Sequence, residues 1–230
     1  MIVIKFNRKM VFDIRFKTSF TCIVNGQTGT GKTTWCRNLL LMKKHLFSTP
    51  PAKVFVFYVK YQDIYGDMLR EKLVDEIFQC TADFPHLDDI YNTVHPYKEN
   101  GGSLIIFDDL ISTLSKDFEN IFCNLSHHEN ASVIFISQNI FYQNKIFRTM
   151  SLNAQYLVLM KNERDKQQIS ILAKQICPYN KDFIIKAYEE ATKQAFGYLI
   201  LDFRSDTPSE IRVRSNIFPY QFPVKCYLER

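Results

Sequence analysis

Residues 26–33 read Gly-Gln-Thr-Gly-Thr-Gly-Lys-Thr; an apolar run at Phe20–Val24 leads into them and a helix-forming run from Thr33 to Lys44 follows. Glycines at alternating close spacing let a backbone curl so that successive N–H groups face one point. A helix that starts where the curl ends adds the positive end of its dipole to that point. Such a cradle for phosphate oxygens requires a buried strand on one side and a helix lying on the sheet face on the other, so it constrains the fold as well as the ligand. Gly26, Gln27, Thr28, Gly29, Thr30, Gly31, Lys32, Thr33 and Thr34 are the expected nucleotide-binding residues. Lys32 is expected to reach the β- and γ-phosphates, and Thr33 to hold Mg²⁺.

Further apolar runs bounded by turn signals recur at Val54–Val59, Ser103–Phe107, Ser132–Ile136, Tyr156–Met160 and Tyr198–Phe203. Leu104-Ile-Ile-Phe107, Val133-Ile-Phe-Ile136 and Leu157-Val-Leu-Met160 are continuous rather than alternating, the pattern of strands covered on both faces. The expected fold class is therefore α/β: a doubly wound, mainly parallel sheet with helices outside. Residues 61–102 are less regular and are expected to carry short helices over the sheet edge. After Pro178 the pattern predicts a helix over Asp182–Gln194, the strand at Tyr198, a turn at Ser205–Pro208 and a short strand over Ile211–Arg214. Residues 1–230 are expected to form one domain, with a core at about 18–176 and a C-terminal addition at about 177–230.

Leu104-Ile-Ile-Phe107 delivers two carboxylates, Asp108 and Asp109, at the carboxyl end of a strand, the edge on which the phosphate loop also lies. Asp108 is expected to bind Mg²⁺ through water. Asp109 is placed to orient or deprotonate an attacking water. The next strand ends Ser137-Gln138-Asn139, where a side-chain amide can sense the γ-phosphate; Gln138 is the sensor candidate, while Asn139 is better read as a turn or cap residue. Arg148 and Arg164 are candidates for an arginine supplied to a neighbouring subunit's site, a device that stabilises charge on the transferring phosphoryl group. A strand lying between the loop strand and the Asp108 strand would mark the additional-strand ATPases, unless Val54–Val59 fills that place.

The bulk properties exclude several classes. A chain of 230 residues, 46% of them hydrophobic, can build a sizeable core. No stretch approaches the roughly 18–20 apolar residues of a membrane helix. Cysteines at 22, 36, 80, 123, 177 and 226 show no zinc spacing and read as reduced thiols of an intracellular protein. The net charge is only +5, yet Lys5, Arg8, Lys9, Arg15 and Lys17 face one acid, Asp13, among the first twenty residues. That excess is open to phosphate contact or to plain solvation. Many of the 12 Tyr and 20 Phe lie within strand-like runs, and most read as core or interface packing.

With these residues in place the chain resembles viral genome-packaging ATPases of the FtsK/HerA superfamily, in particular the short poxvirus-type enzymes and those of Polinton-like or adintovirus-like elements. The likeness runs over about residues 18–219, through Phe107-Asp-Asp-Leu110, Phe135-Ile-Ser-Gln-Asn139, Phe147-Arg-Thr-Met-Ser-Leu-Asn153, Lys161-Asn-Glu-Arg-Asp165 and Ile211-Arg-Val-Arg-Ser-Asn-Ile-Phe218. The resemblance implies a RecA-like, additional-strand ATPase. It implies a ring of five or six subunits that hydrolyses ATP and drives double-stranded DNA into a capsid, acting with capsid or portal-vertex proteins. The implied setting is the host nucleus, a virus assembly site or the virion. Lys32 and Thr33 match the phosphate-loop pair, Asp108 and Asp109 the Walker B acids, and Gln138 the strand-end glutamine. Many members carry Glu where this chain has Asp109, one methylene shorter. DNA contact in such a motor is expected through phosphates and to be sequence-blind.

Two other readings share the phosphate loop. A small-molecule kinase would carry a lid with clustered arginines, and none is visible. A nucleotide-switched assembly factor would use the site without moving DNA; both carboxylates argue against a dead site but leave slow turnover open. The preference for ATP comes from the resemblance, together with the lack of a guanine-specific Asn/Thr-Lys-x-Asp motif.

Overall fold

In a computed structural model, which describes residues 2–5, 12–80, 87–110, 116–139, 145–163 and 166–229, the continuous apolar runs are strands with both faces buried. The strands are β1 (Ile2–Lys5), β2 (Thr21–Asn25), β3 (Lys53–Tyr58), β4 (Glu76–Gln79), β5 (Ser103–Asp108), β6 (Ala131–Ser137), β7 (Tyr156–Met160), β8 (Tyr198–Asp202), β9 (Val213–Ser215) and β10 (Lys225–Leu228). They form one sheet in the order β1-β10-β9-β8-β7-β2-β6-β5-β3-β4. The half from β7 to β4 is parallel. From β7 outward to β1 every pairing is antiparallel. This is the expected doubly wound α/β sheet.

Alternate residues of each central strand serve opposite cores. Ile105, Phe107, Val133, Phe135, Leu157 and Leu159 face one layer, whereas Leu104, Ile106, Ile134, Ile136, Val158 and Met160 face the other. Each large apolar side chain contributes about 1.5–3 kcal/mol when fully buried, so such strands are stable only between two helical layers. The layer against Ile106 and Ile134 contains α1 (Lys32–Leu41), α2 (Lys43–Leu46) and α3 (Asp63–Arg70), through Trp35, Leu39, Leu46, Tyr65 and Met68. The opposite layer contains α4 (Leu87–Val94), α5 (Lys116–His128), α6 (Lys145–Asn153), α7 (Lys166–Ile176) and α8 (Lys181–Ala191), through Ile90, Phe118, Phe147, Leu172 and Ile184.

Several elements differ from the sequence reading. The run from Thr33 does not continue unbroken to Lys44: it stops at Leu41 and restarts at Lys43. The break lets Phe47 reach the rings of Phe16 and Phe20, at 6.2 and 5.9 Å between centroids. Val54–Val59 corresponds to β3, which lies outside β5, and the strand between β2 and β5 is β6. The 61–102 stretch holds, besides helices, the edge strand β4. The helix expected over Asp182–Gln194 ends at Ala191, where Thr192 Oγ1 donates back to the carbonyl of Tyr188. The strand expected at Ile211–Arg214 begins only at Val213, because Ser209–Ile211 forms a 3-10 turn. That turn presents the Ile211 carbonyl to Arg214 Nη1 at 2.7 Å.

Arg214 is almost wholly buried and joins β9 to β8 by donating to Asp202 Oδ2 at 2.9 Å. Thr207 Oγ1 donates to the other carboxylate oxygen at 3.0 Å. Arg214→Met would leave Asp202, whose side chain is only 3% exposed, charged and without its main partner. Breaking a buried pair from one side costs about 3–5 kcal/mol, which is expected as a lower guanidinium unfolding midpoint; adding Asp202→Asn should recover part of the loss.

Candidate nucleotide site

Because β2, β6, β5 and β3 are parallel and in register, Asn25 lies opposite Ser137, and Asp108 opposite both Ile136 and Tyr58. Their carboxyl ends therefore open onto one edge. The loop leaves β2 at Gly26, whose N–H donates to the Ser137 carbonyl at 3.1 Å, fastening it to the end of β6. A Cβ on Gly26 would stand 2.6 Å from Met160 Cβ and 2.8 Å from Thr30 Oγ1, so the loop lies against β7 with no room for a side chain. Thr30 closes the curl by donating its N–H and its hydroxyl to the Gln27 carbonyl, at 3.3 and 2.7 Å. Gly31, at φ +88°, turns the chain into α1 without a side-chain cap, and no acidic residue occupies the first turn. The leading N–H groups of a helix have no partner within it, and α1 starts directly where the loop ends.

Lys32 is buried, and its Nζ donates to the carbonyls of Gly26 and Gln27 at 2.7 and 2.8 Å. Burial lowers its pKa, against the upward pull of Asp108 and Asp109. Thr33 Oγ1 donates to Asp108 Oδ2 at 2.8 Å, tying the helix start to β5. Asp108 is buried as well; burial raises its pKa, and the Tyr65 and Thr33 hydroxyls and Lys32 oppose that rise, while Asp109 adds to it. Tyr65 OH donates to the same oxygen, Oδ2, at 2.7 Å. Burial, and then the charge of Asp108, raise the pKa of that phenol far above its ordinary value.

Asp109 turns out of the strand at φ +59° and is exposed. Asp and Asn tolerate this left-handed region better than most residues, a local reason for Asp rather than the longer Glu. Gln138 spans the gap between the loop and β5: its Nε2 donates to Asp109 Oδ2 at 2.9 Å, and its Oε1 accepts from Thr28 Oγ1 at 3.1 Å. Asn139 belongs to a tight turn in which Ser137 Oγ accepts its N–H and donates to its carbonyl. On the far side Gln27 Nε2 donates to Asn162 Oδ1 at 2.6 Å. The Asn162 N–H donates to Tyr188 OH at 2.7 Å, which links the loop to α8.

The structure thus brings together Gln27, Thr28, Lys32, Thr33, Asp108, Asp109 and Gln138. Thr34 is exposed on α1 and borders a cleft of about 940 Å³ beside Gly31, whose walls include Phe196, Asn216 and Tyr220. Arg148 is exposed in the first turn of α6, outside this hydrogen-bonded cluster. Arg164 lies outside the described residues. Sequence reasoning missed Tyr65, which reaches Asp108 across a separation of 43 positions. It also missed the role of Asn162, although the Lys161-Asn162 pair stands directly after an apolar strand, as Gln138 does. Thr33 gives its proton to Asp108 and keeps oxygen lone pairs for a cation. Together with the carboxylate, that hard-oxygen pair fits Mg²⁺, which is held by one or two protein ligands plus phosphate oxygens.

The sheet order, the loop between β2 and α1 and the acids at the end of β5 define the P-loop NTPase fold. Solved structures with this fold match the chain. The genome packaging NTPase B204 from Sulfolobus turreted icosahedral virus 2, in complex with ATP-gammaS, superposes with TM-score 0.50 at 12% identity, over 92% of this chain and 98% of that one. The cytoplasmic domain of the type VII secretion ATPase EccC from Thermomonospora curvata superposes with TM-score 0.52 at 12% identity; 89% of this chain is covered, but only 25% of that longer one. No family model and no curated protein matches the sequence.

The packing at Gly26 gives a direct test. Overpacking of this kind costs about 1–3 kcal/mol, and displacement of the loop from Met160 relieves it. Gly26→Ala is therefore expected to weaken binding of a fluorescent ATP analogue about tenfold or more, measured by anisotropy, while the circular dichroism spectrum stays that of the parent.

Proposed function

We propose that this protein is an ATP-hydrolysing DNA translocase, a single ATPase domain that works as a ring-shaped homo-oligomer and packages double-stranded DNA into a viral capsid. The observation that carries the reading is the bridge from Thr28 through Gln138 to Asp109, made by a strand-end amide on β6 between the loop strand and the carboxylate strand. An interposed strand with a polar end supports the additional-strand ATPase reading over the kinase reading. The superposition with a packaging NTPase over nearly the whole of both chains supports packaging as the task.

In this reading the triphosphate lies along residues 26–33, and Lys32 exchanges its two carbonyl partners for phosphate oxygens. Thr33 and Asp108 hold Mg²⁺, which neutralises charge on the β- and γ-phosphates when bound. Asp109 takes the proton of the attacking water, and Gln138 carries the state of the loop to that carboxylate. Arg148, one turn into a helix that starts at the carboxyl edge, and Arg164 are the residues assigned to a neighbour's site. The nucleoside occupies the cleft beside Gly31, whose volume suits a small ligand. DNA is gripped through its phosphates, and capsid or portal proteins supply the docking site at the place of virus assembly.

Steady-state ATP hydrolysis with and without long double-stranded DNA, at two salt concentrations, tests the reading. Stimulation by DNA that fades at the higher salt and is absent in Lys32→Ala is expected; hydrolysis indifferent to DNA would favour the switch reading instead. Asp109→Asn tolerates the same backbone conformation and should keep nucleotide binding while losing about 10²–10⁴-fold in turnover, the usual contribution of a general base. Full activity in that variant would remove Asp109 from the catalytic role.

A further inference from the structure

The geometry points to Tyr65 as a positioning residue for the site: its hydroxyl holds Asp108 in the orientation that Thr33 and a magnesium-bound water require. The inference rests on the reading of Asp108 as the carboxylate that binds Mg²⁺.

Two donors converge on one oxygen. Thr33 Oγ1 and Tyr65 OH lie 2.8 and 2.7 Å from Asp108 Oδ2. The carboxylate is thus pinned through Oδ2 and keeps Oδ1 for the hydration shell of a cation. The direction of the Tyr65 bond is fixed by a third group, because Gln62 Nε2 donates to the phenol oxygen at 2.9 Å and the phenol's own proton is left for Asp108.

The ring that carries this hydroxyl is itself held. Tyr65 is 1% exposed. It stacks on Tyr58 at 4.9 Å between centroids and 28° between planes, and Tyr61 meets it edge-on at 6.1 Å. Tyr58 is the residue of β3 directly opposite Asp108 in the sheet, so the platform under Tyr65 is fixed by the same ladder that fixes the carboxylate. A hydroxyl on a clamped ring defines where a carboxylate can point, and groups that orient a metal ligand in this way typically change metal affinity about 10–100-fold. A phenol that only satisfied a buried acid would instead change folding stability and leave the metal requirement alone.

The test uses the full chain and reads binding of a fluorescent, non-hydrolysable ATP analogue by anisotropy while Mg²⁺ is titrated, for the parent, Tyr65→Phe, Asp108→Asn and the double variant. Tyr65→Phe keeps the ring. It is expected to raise the Mg²⁺ midpoint about 10–100-fold, to leave affinity for the analogue without metal unchanged, and to have no further effect in the Asp108→Asn background. Gln62→Leu removes the amide that directs the phenol proton and is expected to shift the midpoint the same way by a smaller factor. It decides the matter if Tyr65→Phe does not fold, and a parental midpoint there then overturns the inference. A parental midpoint in Tyr65→Phe beside a shifted one in Asp108→Asn overturns the role of Tyr65 alone. Parental midpoints in both overturn the metal reading of Asp108, and the role of Tyr65 with it.

Discussion

The parallel register of β2, β6 and β5, with Asn25 opposite Ser137 and Ile136 opposite Asp108, governs where every polar group at the site can stand. The register follows from burial on two faces: a slip of one residue would carry Phe107 and Phe135 out of the layer that holds Phe118, and Ile106 and Ile134 out of the layer that holds Trp35. Among the registers that the backbone hydrogen bonds allow these strands, burial on two faces selects this one. Their ends coincide because their apolar bodies do, and the loop, the acids and the glutamine inherit that alignment.

On this frame the site concentrates groups that a core would reject. A buried ammonium and a buried carboxylate, each shifted by its burial toward the neutral form, are placed close enough to oppose each other's shifts. The hydroxyls of Thr33 and Tyr65 do the remaining work of solvating Asp108 in the absence of bulk water. Asp109 meets the opposite circumstance: it is turned into solvent by a left-handed backbone and restrained by one amide from β6. The two adjacent acids thus have different surroundings, one dry and pinned, the other wet and tethered.

What the sequence made legible is what depends on local pattern. Residues 26–33 announce their own conformation, and Leu104–Phe107 announces a buried strand with acids at its end, because both signals lie within a few neighbouring positions. The short strands β4 and β10 carry only a few apolar residues each, so their pairing is decided by the sheet edges that receive them. The contact from Tyr65 to Asp108 joins α3 to β5 across the intervening β4 and α4, and Tyr61–Tyr65 gives no sign of it. Gln27 with Asn162 is similar: each residue looks like a polar loop position until the strands β2 and β7 are seen side by side.

In the proposed reading, in which the loop binds phosphates, the arrangement of Lys32 bears on which anions it would favour. Its ammonium already holds two carbonyl oxygens, so an incoming phosphate replaces contacts rather than adding them, and the count of hydrogen bonds changes little. What changes is charge: neutral acceptors give way to anionic ones beside a helix start that lacks an acidic residue. A ligand with a single negative charge gains little from such an exchange, whereas a polyanion gains at every oxygen it brings. Under the proposed function, the loop would in this sense discriminate by charge density, favouring a chain of three phosphates over the shorter anions that hydrolysis leaves behind.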